Sequence, residues 1–256
     1  MWRVARLTRH AVFVALLWIP GALSGCGTPR PAAVLEPPAA PGVLWLIFVD
    51  DLHVRFVDTG RLRTLIRTIA KTLLAEGDLI AARATVSPNF LIDATPDQEW
   101  LLRRVRELSG NGLRLSDVIE GHGWVDEVSY RTSYALATAC EALAGIATVP
   151  HRRKAVIYIS NGYLRSPAGH GQYCDRPAGL VAVAREARAR VFPIDTRLLG
   201  PPSMPEAGVA PDLWQHYWTT SRESLRALAQ GTGGFARLDE GDLVEWLGRV
   251  SRAVRD

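Results

Sequence analysis

With 256 residues and 48% hydrophobic content, the chain is long enough for one large domain or two small ones and carries ample apolar material for a core. Its formal charge of +4 does not describe a phosphate-tracking surface. Arg3, Arg6 and Arg9 sit in an N-terminal segment that reads as a removable leader, and without them basic and acidic residues nearly balance. No nucleic-acid partner is expected on that charge. Lys71 and Lys154 are the only lysines, and the arginines are scattered over predicted helix faces rather than gathered in a patch.

Met1 to His10 is basic and Ala11 to Leu23 is almost wholly apolar. The apolar run is too short for a permanent membrane span and has the length of an export signal's hydrophobic region. It ends in Leu23-Ser24-Gly25-Cys26, which resembles the bacterial lipoprotein signal. That resemblance implies a leader over residues 1–25 and lipidation of Cys26. It also implies a membrane-held, extracytoplasmic chain, on the outer membrane if the source has one, because Gly27 and not an aspartate follows the cysteine. Residues 26–41 then form a tether, where Pro29, Pro31, Pro37, Pro38 and Pro41 stand among small residues that cannot bury apolar area. A single domain is expected over 42–256.

Within that domain, Val43 to Val49 (VLWLIFV) is an unbroken apolar run halted by Asp50 and Asp51. Such a run predicts a strand covered on both faces, with its carboxylates at the end where open α/β sheets place ligand sites. Leu62, Leu65, Ile66, Ile69, Leu73 and Leu74 then form a helical stripe, with Asp58 or Thr59 as its cap. Leu79 to Val86 and Phe90 to Ala94 read as strands joined by a tight turn, the second an antiparallel edge. Thr95-Pro96-Asp97-Gln98 predicts a capping box with proline at the first helical position, opening a helix striped by Leu101, Leu102, Val105 and Leu108.

Leu113 to Arg131, with Gly121-His122-Gly123, has no clear pattern. A helix is expected to open at Thr132 and Ser133, with Leu136, Ala139, Cys140 and Leu143 facing inward. Ala155 to Ser160 predicts a strand ending at Asn161-Gly162, and Leu180 to Ala187 a helix. Val191 to Ile194 predicts a strand ending in Asp195. A long connection follows to a second capping box at Thr220 and Glu223, then a helix stopped by Gly231, a last strand at Gly234 to Leu238, and a final helix striped by Leu243, Trp246, Leu247 and Val250. The alternation predicts an α/β fold with a doubly wound, mostly parallel sheet, helices on both faces and one antiparallel edge strand.

The order of IFVDDLH (Ile47 to His53), KAVIYISNGY (Lys154 to Tyr163), VFPIDTRLL (Val191 to Leu199) and LRALAQGTGGFARL (Leu225 to Leu238) resembles a von Willebrand factor type A domain of the exported bacterial kind. The resemblance implies a Rossmann-like three-layer sandwich that works as a protein-interaction module. Many members hold Mg²⁺ through Asp-x-Ser-x-Ser on a first loop, a Thr on a second and an Asp on a third, leaving a position open for a partner's carboxylate.

Here Asp50 matches the first aspartate, but Leu52 and Val54 replace both serines. Thr132, beside Ser133, matches the threonine, and Asn161 replaces the final aspartate. Mg²⁺ prefers hard oxygen donors and carboxylate charge, so a degenerate site is expected, with no cofactor or weakly bound Mg²⁺ at Asp50, Asp51, His53, Thr132 and Asn161. The two aspartates alternatively cap the turn after the strand.

Catalytic motifs are absent: Ser160-Asn161-Gly162 lacks a nucleophile-elbow pattern, and neither HExxH, a P-loop nor GxGxxG occurs. An acidic pair ending a first strand also fits a phospho-receiver, with Asp93 as third aspartate, but Lys154 precedes its strand and would point away. No catalysis is therefore expected; the competing expectation is a Mg²⁺- or Mn²⁺-dependent ligand binder or hydrolase using Asp50 and Asp51.

A protein partner in the cell envelope should contact a rim built from Asp50 to Gly60, His122 to Ser133, Asn161 to Arg176 and Asp195 to Thr219. Ser133, Asp195, Trp214, Tyr217 and Trp218 are its named contacts. The aromatics of the long 198–219 connection either anchor that partner or fold back as a lid. Cys140 and Cys174 are open to a disulfide in an oxidising compartment, or Cys140 is a small core residue.

Overall fold

The first strand obeys its pattern: β1, Val43–Val49, is buried along its whole length. The computed structural model describes residues 42–120, 125–150, 152–164, 174–199 and 209–256, all within one unit of the chain. The leader, the tether, Cys26 and His122 lie outside the described residues, as do rim residues 165–173 and 200–208.

Around β1 the chain lays down α1 (Thr59–Leu73), β2 (Leu79–Ala84), β3 (Leu91–Thr95), α2 (Gln98–Arg104), α3 (Leu115–Glu120) and α4 (Val125–Ala147). It continues with β4 (Arg153–Ile159), α5 (Pro177–Glu186), β5 (Ala189–Ile194), α6 (Pro211–Gly231) and α7 (Leu243–Arg255). The sheet order is β3-β2-β1-β4-β5, parallel throughout except for the antiparallel β2–β3 edge. This is the doubly wound α/β sheet that the alternation predicts.

Alternate residues of β1 belong to two separate cores, which is why no polar residue interrupts it. Val43, Trp45, Ile47 and Val49 pack with the apolar faces of α1, α2 and α7. Leu44, Leu46 and Phe48 pack with those of α4, α5 and α6. β1 is the point where the winding reverses, since its neighbours β2 and β4 lie on opposite sides. A crevice for ligands therefore opens past the carboxyl ends of β1 and β4.

Several boundaries differ from the expected ones, each for a local reason. The box at Thr95 is shifted: Asp97 is the cap, accepting from Trp100 N at 3.0 Å, and the helix begins at Gln98. Thr132 and Ser133 do not open a helix but lie inside α4, whose buried residues Val128, Leu136, Ala139 and Leu143 share one helical face. Thr220 and Glu223 likewise lie inside α6, which starts at Pro211, so about half of the expected long connection is helix. Gly234 to Leu238 forms no strand, contributing only a parallel bridge between Arg237 and Ile194. Cys140 of α4 and Cys174 before α5 form a disulfide. Among the described residues no helix is long and apolar enough to cross a membrane.

Candidate functional site

Asp50 and Asp51 leave β1 side by side and part immediately. Asp50 is fully buried. Its Oδ1 lies 2.8 Å from His53 Nδ1, and its Oδ2 accepts from Ser160 Oγ at 2.7 Å. Ser160 Oγ in turn accepts from Gly162 N at 3.0 Å, so the ends of β1 and β4 are laced together through one carboxylate. Gly162 has φ of +79°, and a Cβ there would meet Ser221 O of α6 at 2.0 Å, so only glycine fits.

Behind His53, the buried hydroxyls of Tyr158 and Tyr163 hydrogen-bond to each other. Burial first, and then the neighbouring Asp50 charge, hold both phenols well above the ordinary tyrosine range. Tyr163 also stands edge-on to His53, with ring centroids 5.1 Å apart.

Asp51 turns away from this cluster. It accepts from Val86 N, Ser87 N and Ser87 Oγ at 2.9, 3.0 and 2.6 Å, and so fixes the β2–β3 turn. Burial raises its pKa, and the Ser87 and Val86 hydrogen bonds only partly counter that rise. Its role is the turn-holding one, and it is removed from the candidate ligand set.

Asp195 is not on a rim. It is fully buried, and Arg197 Nε and Nη2 each donate to it at 2.8 Å. Arg197 Nη1 reaches Ser221 Oγ at 2.9 Å, and its guanidinium lies 4.4 Å from the centre of the Trp218 ring. Trp214 and Trp218, one turn apart on α6, stack at 4.9 Å. These aromatics stand on a helix face instead of a loop, half-buried.

A pocket of about 140 Å³ opens at the sheet's carboxyl end. His53, Thr132, Asn161, Trp214, Tyr217 and Trp218 all line it, so most of the predicted set converges there. Ser133 is half-buried on α4 and is not part of the wall. Thr132 Oγ1 is buried and has no hydrogen-bond partner among the described residues. Asn161 Oδ1 accepts from Thr196 Oγ1.

Among the described residues, the four basic ones on the wall each have a protein partner. His53 meets Asp50, and Arg55 Nε meets Asp58 at 3.0 Å. Arg131 Nε meets Glu127 at 2.6 Å, and Arg197 meets Asp195.

The predicted rim segments contain Arg55, Arg131 and Arg197, with Leu52 and Val128, without singling them out as pocket residues, and they omit Val118. The helical spacing of Val128, Leu136, Ala139 and Leu143 was a usable signal for the start of α4. The pairing of Arg197 with Asp195 had no signal beyond adjacency. Among the described residues, no group of three or more His, Cys, Asp or Glu is placed to hold a metal ion.

No family model matches the chain, and no curated protein matches it. It is similar in structure to the vWF domain of the type V pilus tip protein Mfa5 from Porphyromonas gingivalis, at 10% identity and a TM-score of 0.46. That match covers 86% of this chain and 96% of the other. The pilus adhesin SpaC from Lactobacillus rhamnosus GG, in an open conformation, matches at 9% identity and 0.45, over 83% of this chain and 30% of the adhesin. The manganese-loaded TRAP protein of Plasmodium vivax matches at 14% and 0.32, over 73% and 74%. At these values they add nothing to what the sheet order already shows.

Proposed function

We propose that the chain is a membrane-tethered, extracytoplasmic module of the type A kind that binds a protein partner at the carboxyl end of its sheet and catalyses no reaction there. The observation that carries this reading is the chemistry of the pocket wall. Its surface is largely aliphatic and aromatic, and each basic side chain on it is already committed to a carboxylate of the same chain. Half-exposed tryptophans beside a pocket are the usual anchors of a protein interface. The Cys140–Cys174 disulfide supports an oxidising compartment, in keeping with the leader-like N-terminus.

The cation site of the family is degenerate on this reading. Leucine and valine stand where two hydroxyls belong, and Asp51 serves the β2–β3 turn. Asp50 gives one oxygen to His53 and the other to Ser160. One carboxylate so engaged, with neutral Thr132 and Asn161, is a poor donor set for Mg²⁺. The competing reading, Mg²⁺- or Mn²⁺-dependent binding or hydrolysis, is favoured by the unpartnered Thr132 Oγ1.

Two measurements on the purified full chain separate these readings. Replacing Trp214 and Trp218 together with alanine is expected to weaken partner capture from envelope extracts while the domain stays folded, at a lower unfolding midpoint because their stacking and the Arg197 contact are lost. Titration with Mg²⁺ or Mn²⁺ is expected to show no saturable site. A one-to-one binding signal abolished by Asp50→Asn would replace this proposal with the cation-dependent one.

A further inference from the structure

A count of the hydrogen-bonding capacity left over on the pocket wall identifies what the pocket accepts. Thr132 Oγ1 and Trp214 Nε1 are both buried without a partner among the described residues. Asn161 spends its Oδ1 on Thr196 Oγ1, which leaves its amide N–H groups. Among the described residues Arg55 bonds through Nε alone, to Asp58, and keeps its terminal N–H groups. Three of these four are donors only, and Thr132 donates as readily as it accepts. Among the described residues neither aspartate nor glutamate lines the pocket. His53 Nε2 is the one ring nitrogen of mixed character on the wall. An uncompensated buried polar atom is costly, so a partner that completes these bonds gains from each.

Arg131 and Arg197 on the wall are paired with Glu127 and Asp195, and much of the remaining wall is apolar, including Leu52, Val118, Val128 and Trp218. A volume near 140 Å³ is close to the roughly 150 Å³ of an apolar cavity that holds benzene, the scale of one leucine or phenylalanine side chain. The ligand therefore combines an apolar group of that size with an acceptor-rich group close by. Aspartate and glutamate side chains have a carboxylate but no apolar body. A residue at the end of a chain carries a carboxylate and an apolar side chain on the same Cα.

The geometry points to the carboxyl-terminal apolar residue of a partner polypeptide as the occupant, its side chain against Leu52, Val128 and Trp218 and its carboxylate meeting Thr132, Asn161 and Arg55. This rests on the protein-interaction reading above and names the part of the partner that is bound.

The test uses fluorescently labelled glycine–serine hexapeptides with the purified full chain. One set ends in leucine or phenylalanine with a free carboxylate, a second in the same residues amidated, and a third in alanine. The free-carboxylate leucine or phenylalanine peptides are expected to bind saturably, and the other two at least tenfold more weakly. Thr132→Val keeps the shape of the side chain and removes one hydrogen bond. It is expected to weaken binding about tenfold while leaving the unfolding midpoint unchanged or higher, which a purely structural role for the hydroxyl would not produce.

Equal binding of free and amidated peptides overturns the inference. So does the absence of binding by any of them. If envelope capture then still depends on Trp214 and Trp218, only the terminal-residue assignment has failed and the interaction reading stands. If that dependence is absent too, both fall.

Discussion

At the scale of single residues, two aspartates show how neighbours decide what a carboxylate does. Asp50 and Asp51 are identical in type and adjacent in sequence, yet one laces β1 to β4 and the other holds the β2–β3 turn. Asp78, at the opposite end of the sheet, is a third case. Burial by itself would raise its pKa. Hydrogen bonds from Arg255 first, and then from Val43 N, Trp45 Nε1 and Ala75 N, outweigh that and hold it below the ordinary value. Because the folded pKa lies below the unfolded one, ionised Asp78 contributes stability above the ordinary aspartate range near 4, and this is lost as pH falls through the folded value. Asp78→Asn is expected to cost about 3 kcal/mol at pH 7, with the gap to the native chain closing below about pH 4. Denaturant melts of both chains across that range check it; a gap that stays constant would show that the charge is not what Asp78 contributes.

At the scale of elements, the buried stripes were legible and so was the start of α1 at Asp58 and Thr59, but three other helix starts were not. The periodicity of Leu62 to Leu73 and of Leu243 to Val250 places α1 and α7 where they stand, because apolar spacing at 3.6 residues has no other stable use. Capping patterns at Thr95, Thr132 and Thr220 misplaced three starts. A hydroxyl or carboxylate followed by the right partner recurs by chance inside helices, and Pro211 and Asp97 were the true openings. The same error left the aromatics of α6 reading as loop residues. One connection between elements was undecidable from spacing: Cys140 and Cys174, 34 residues apart, tie α4 to the segment leading into α5. Replacing both with serine is expected to lower stability by about 3 kcal/mol, read as a shift in denaturation midpoint that reducing agent reproduces in the native chain. A native chain indifferent to reductant would count against the bond.

At the scale of the whole molecule, the fold brings to one end of the sheet residues from distant parts of the chain. The loop after β1, the body of α4, the end of β4 and the first turns of α6 all contribute to the pocket. Their convergence follows from the winding reversal at β1, which leaves the carboxyl ends of β1 and β4 uncovered by any crossover. The proposed tether joins the domain at the amino end of β1, the end of the sheet away from the pocket. In cells, Cys26→Ser is expected to move the chain from the membrane fraction to the soluble one, as loss of acyl chains removes roughly 0.8 kcal/mol per buried methylene. Unchanged fractionation would place the anchor elsewhere or nowhere.

By itself the sequence determined the layer architecture, the identity of the central strand and the end of the sheet that carries polar groups. Each of these depends on hydrophobic periodicity, a local property that survives in one dimension. Tertiary structure alone decided that Asp51 leaves the site, that Asp195 is neutralised by Arg197, and that Thr132 is buried, without a partner among the described residues, on a wall shared with Trp214. The first and last of these depend on which groups arrive from remote segments, which pairing across the sheet brings together with no trace in local spacing; the Asp195–Arg197 pair is local, but its burial is set by the helix packed over it.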